Sequence, residues 1–132
     1  MISTSCEWET PLAQAIELYK AGDHEESRQL LETLAAKHPG VAAIQGLLGR
    51  AYFMRAEYDI ALRYFKAAAE LNPDSELASL GLYQCFAETD RADEALEEMR
   101  RFTASHVSED YRAIAEDAGF SLAELHAEAE ST

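Results

Sequence analysis

The chain has 132 residues, with 25 Asp and Glu against 11 Lys and Arg and a formal net charge of −14 at pH 7. That charge argues against nucleic acid, whose phosphates it repels, and against anionic membrane surfaces. The length fits one domain, and 48% hydrophobic residues with 6 Gly and 3 Pro suit a continuous helical core.

Residues 1 to 8, with no basic region and no apolar run, read as a flexible arm and not as a secretory signal. Thr10-Pro11 predicts a helix start, with threonine as N-cap and proline at the first helical position. That helix runs to about Ala21, where Gly22 ends it, and Asp23 can cap a second helix reaching about Lys37. His38-Pro39-Gly40 is a turn. Ile44, Leu47, Leu48, Ala51 and Tyr52 then recur at helical spacing, as do Tyr58, Ala61, Leu62, Phe65, Ala68 and Leu71 after a break at Arg55-Ala56-Glu57. Gly49 and Ala61 are small and face the crossing of these two helices, so their backbones can approach closely. Pro73 ends the pair, because its ring clashes with the preceding turn.

Asp74 or Ser75 caps a fifth helix carrying Leu77, Ala78, Leu80, Leu82, Tyr83 and Phe86, and Thr89-Asp90-Arg91 breaks it. A sixth helix buries Ala95, Leu96, Met99 and Phe102. Ser108-Glu109-Asp110 opens a seventh, with one apolar stripe of Tyr111, Ile114, Ala115 and Ala118 that suits a capping role. Gly119 closes it, and Ser121 with Glu124 is a capping box for a short eighth helix with Leu122 and Leu125 inward.

Pro39 and Pro73 are one period apart (73 − 39 = 34). In the central stretch Leu48, Gly49, Tyr52, Tyr58, Ala61, Phe65, Ala68 and Pro73 all match the pattern of a tetratricopeptide repeat, which this chain resembles. The pattern recurs before it as Ala15, Leu18, Gly22, Ser27, Leu31, Leu34 and Pro39, and after it as Leu82, Phe86, Ala95, Met99 and Phe102. In the third unit Tyr83 takes the small-residue position and Val107 replaces the closing proline. The resemblance implies an all-α solenoid of seven or eight helices wound as a right-handed superhelix. Three hairpins, 9–40, 41–74 and 75–107, would be followed by capping helices over 108–132.

Chemistry of other kinds finds little support. His24-Glu25-Glu26 lacks the second histidine of a zinc-protease helix, since Arg28 stands in its place. The four histidines are scattered, and Cys6 and Cys85 are read as free thiols, too few and too far apart for a disulfide framework or a zinc site. Neither a phosphate-cradling glycine loop nor a nucleophile beside a base is recognisable. No metal, cofactor or catalytic activity is expected. The segment from Ile114 to Leu125 looks like a helix-turn-helix. Its surroundings carry Glu109, Asp110, Glu116, Asp117, Glu124, Glu128 and Glu130 against Arg112 alone, which speaks against DNA. No stretch has the length to span a bilayer, and a cytoplasmic protein is expected.

In the family it resembles, the first helix of each hairpin lines a concave face where peptides lie. On this chain that face would comprise Leu12, Ile16 and Tyr19, then Ala43, Leu47, Arg50, Phe53 and Met54, then Leu77, Leu80 and Gln84. Leu12 and Leu80 read equally well as buried between hairpins. Family members that grip acidic chaperone tails use Lys, Asn and Arg where this chain has Leu12, Ile16, Leu47, Leu77 and Gly81, so that clamp is absent. An apolar trough with one guanidinium remains, suited to an apolar or amphipathic segment of a partner protein. Three-repeat chains of this size also resemble, in architecture, the bacterial type III secretion chaperones that hold translocators before export. A co-chaperone or an assembly scaffold fits equally. The reading from another class is a structural element whose groove is filled by a second copy, as a homodimer, or by its own tail.

Overall fold

In the computed structural model, described over residues 7–104 and at Glu109, Arg112 and Ala113, the chain folds into helical hairpins. The helices are α1 (Glu9–Lys20), α2 (His24–Lys37), α3 (Ala42–Phe53), α4 (Tyr58–Leu71), α5 (Glu76–Glu88) and α6 (Ala92–Thr103). Six helices thus stand among the described residues in place of the seven or eight expected. The seventh and eighth fall beyond that description, apart from helical backbone at Glu109, Arg112 and Ala113.

The 34-residue period of the sequence reappears as a period of the backbone. Gly22, Ala56 and Asp90, each 34 residues apart, all adopt positive φ, at 91°, 60° and 59°. At each of these turns an amide donates back to a carbonyl of the helix just ended: Asp23 to Leu18 at 2.9 Å, Glu57 to Tyr52 at 3.0 Å and Arg91 to Phe86 at 2.8 Å. This is the closure that satisfies the last carbonyls of a helix through one left-handed residue. Glycine adopts that conformation freely, whereas Ala56 costs about 1 kcal/mol there.

Packing follows the same columns. Ser27, Ala61 and Ala95 occupy equivalent positions and are buried, as are Leu31, Phe65 and Met99, and then Leu34, Ala68 and Phe102. Ser27 is polar in an otherwise apolar column, and its hydroxyl is satisfied by donating to the Ala15 carbonyl at 2.7 Å. Two clusters result. One joins Leu12, Ala15, Leu31, Leu34, Ile44 and Leu48 from α1, α2 and α3. The other joins Ala61, Leu62, Phe65, Leu82, Cys85, Phe86 and Ala95 from α4, α5 and α6.

The helix starts differ in detail from the sequence reading. Glu9 begins α1 and Trp8 is its N-cap, without a side-chain hydrogen bond, so Thr10 lies inside the first turn. Pro11 is accommodated there because the first amides of a helix have no intrahelical acceptor to lose. Asp23 stands at the N-cap of α2 but makes no side-chain capping bond. Ser75 is the cap of α5, accepting from the Ala78 amide at 3.1 Å.

Burial pushes the Cys85 thiol up to about 11, from an ordinary value of 9.0. Tyr52 is also raised, chiefly because its hydroxyl donates to Glu32, and Tyr83 is raised by burial. All three groups hold their protons more tightly folded than unfolded, so their contribution is intact below pH 9. It is lost as the pH rises from 9 towards 11, where the unfolded thiol and phenols ionise first. The melting temperature should fall over that window, with a shallower slope in Cys85→Ala. Alkylation of Cys85, followed by peptide mass spectrometry, should require unfolding.

Candidate functional site

The first helices of the three hairpins, α1, α3 and α5, share one face, and that face carries two adjoining cavities. The first, of about 270 Å³, is lined by Ala15, Ile16, Tyr19, Lys20, Ser27, Leu31, Leu47, Arg50 and Leu77. The second, of about 430 Å³, is lined by Arg50, Phe53, Met54, Phe65, Leu77, Leu80, Gly81, Gln84 and Ala113. Arg50 and Leu77 belong to both and form the ridge between them.

Of the groove residues expected from the sequence, Ile16, Tyr19, Leu47, Arg50, Phe53, Met54, Leu77, Leu80 and Gln84 line these cavities. Leu12 lies elsewhere, buried in the first core cluster. Ala43 is exposed and lines neither cavity. Ala15, Lys20, Ser27, Leu31, Phe65 and Ala113 are additional lining that the spacing within one helix did not assign, and Gly81, at one of the clamp positions of the resembled family, lines the second cavity. Ser27, Leu31 and Phe65 come from second helices, whose side chains reach the cavities between first helices, so no pattern along a single helix marks them.

No carboxylate lines either cavity among the described residues, although the chain carries 25 Asp and Glu. Met54 is 57% exposed, one of the two large exposed apolar side chains among the described residues. The Arg50 guanidinium lies 5.9 Å from the centre of the Tyr19 ring, and that ring stacks on His24 at 4.5 Å.

Beside the groove, a polar network joins the first hairpin to the second. Arg28 pairs with Glu25 and, at 2.7 Å, with Glu32, while Tyr52 donates its hydroxyl to Glu32. Arg55 bridges Glu25 at 3.0 Å and Glu57 at 2.7 Å. The hydrogen bond from Arg28 holds the Glu25 carboxyl below its usual range. The network consumes these charges in positioning α3 against α2. No group of His, Cys, Asp and Glu among the described residues is arranged to hold a metal ion. No described helix is long and apolar enough to cross a membrane.

Two family models, both described as tetratricopeptide repeat, match the chain over residues 12–57 and 55–118. No curated protein matches the sequence. The fold is similar to that of the Yersinia enterocolitica type III secretion chaperone SycD in complex with a peptide of the translocator YopD. That likeness has 13% identity, a TM-score of 0.77, and covers 96% of each chain. PcrH in complex with the chaperone binding region of PopD is similar at 19% identity and a TM-score of 0.74, again over 96% of each chain. A T3SS complex from Aeromonas hydrophila is similar at 15% identity and a TM-score of 0.75, covering 98% of this chain and 87% of that one. At these identities the likeness is one of fold.

Proposed function

This chain belongs to the tetratricopeptide repeat family, and we propose that it is a protein-binding module that takes an apolar or amphipathic segment of a partner protein into its concave groove. The observation that carries this reading is the pair of adjoining apolar cavities with no carboxylate among their described lining residues, on a chain of net charge −14. A water-facing surface of this protein would be expected to share in its acids. A trough whose described lining is apolar instead favours apolar side chains, which lose their water on entering it. The role is that of an adaptor, scaffold or chaperone, in a right-handed stack of hairpins. The likeness to SycD and PcrH, each solved with a segment of its own partner, supports the chaperone role among these.

Leu47 and Phe53 test the reading, since both are half-buried on different cavities. Capture of partners from the native host by the wild-type chain is compared with capture by Leu47→Glu and by Phe53→Glu. A charge set into a desolvated contact should lower affinity at least about 30-fold while the far-ultraviolet circular dichroism melt is preserved. Capture unchanged in both variants would place the partner site elsewhere, and unfolding would assign the two side chains to the core. A second copy is the competing occupant. Light scattering that gives a dimer of wild type and monomers of both variants would favour it.

A further inference from the structure

The groove reading leaves open what, besides apolar surface, the partner must present; the inference here rests on that reading and concerns Arg50. We infer that Arg50 reads a carboxylate of the partner segment, placed between two apolar side chains that enter the cavities on either side. The position of Arg50 is the first argument: with Leu77 it forms the ridge shared by both cavities, so a segment spanning them must pass over its guanidinium. Its charge is also unanswered among the described residues. Arg28, Arg55, Arg91 and Arg101 each hold a carboxylate of this chain. Arg50 is exposed and holds none among the described residues. No described residue of either cavity offers it one, although acids outnumber bases 25 to 11 overall.

Chemistry then defines the ligand group. A guanidinium resting near the Tyr19 ring presents its N–H fork to a carboxylate in two parallel hydrogen bonds, which a neutral amide cannot match. Apolar side chains filling both cavities would exclude water from that contact and strengthen it. The cavities supply affinity and Arg50 supplies selection and register. The carboxylate can belong to an Asp or Glu side chain or to a chain terminus.

The test uses the full chain and fluorescein-labelled peptides in which two leucines stand at a range of separations, with glutamate or its isostere glutamine between them. Binding is read by fluorescence polarisation near physiological salt. There the long-range repulsion from the acidic surface is screened beyond about 8 Å, while a direct contact survives. At the best separation the glutamate peptide should bind about tenfold more tightly than the glutamine peptide. In Arg50→Gln, which among the described residues loses no hydrogen bond or ion pair and only the exposed contact with the Tyr19 ring, and should melt close to wild type, the two peptides should bind alike, at the affinity of the glutamine peptide for wild type. Versions ending in a free carboxylate or an amide after one leucine show which source of carboxylate is preferred, and a preference for either supports the inference. Equal binding of all acid and amide pairs by wild type overturns the role of Arg50 and leaves the groove standing. A preference that survives in Arg50→Gln overturns it too. Binding of no peptide overturns both readings.

Discussion

Replacing Phe65 by alanine should cost about 3–5 kcal/mol, the range for removing a buried aromatic ring, out of a total of about 5–15 kcal/mol for a domain. The ring is 2% exposed and sits where two first helices come close to α4. A Cβ added to Gly49 on α3 would lie 2.8 Å from its Cδ1, and one added to Gly81 on α5 would fall within the ring's van der Waals surface. The ring therefore occupies space that both glycines vacate. Neither backbone has a side chain to refill the cavity, so relaxation can recover little of the loss. Urea denaturation followed by circular dichroism measures the change. Gly81→Ala is the complementary variant. Helix propensity alone would favour the alanine by about 0.8–1.0 kcal/mol, but overpacking against a buried ring costs about 1–3 kcal/mol. The net effect should be destabilising in wild type and should become neutral or stabilising in a Phe65→Leu background. Gly81→Ala with the same effect in both backgrounds would show that the ring is not what excludes the methyl group.

Ile44→Ala should cost about 2–5 kcal/mol in the other core cluster. Ile44 is fully buried in the cluster of α1, α2 and α3, apart from the cluster that holds Phe65. In a repeat protein each hairpin is stabilised through its interfaces with adjacent ones, so damage at one interface is felt first by the unit that has only that neighbour. The first hairpin, residues 9–37, should accordingly lose amide protection before α5 and α6 in native-state hydrogen exchange. Its Ser27 to Ala15 hydrogen bond and the Arg28 and Arg55 network should loosen with it. Uniform loss of protection in all six helices would mean that the stack unfolds as a single unit.

These two sites also separate what the chain's order of residues states from what only its folding decides. Helices α1 to α6, the hairpin turns and the buried columns were legible because each depends on residues close in sequence, repeated at a fixed period. Gly22, Ala56 and Asp90 stand one period apart and take the same left-handed turn, and Leu31, Phe65 and Met99 fill the same column. Much of the lining of the two cavities was legible for the same reason, since Ile16, Tyr19, Leu47, Arg50, Phe53, Leu77 and Gln84 follow from which face of a first helix looks inward. The exact helix starts were not, because α1 begins without a side-chain cap and Trp8 packs against the first cluster instead. Tertiary structure alone decided that Leu12 belongs to the core, that Gly81 must stay free of a Cβ, and that no carboxylate of the described residues approaches Arg50. Each of these is a relation between helices of different hairpins. It is set by their separation and angle, which a periodicity along one strand of sequence does not encode.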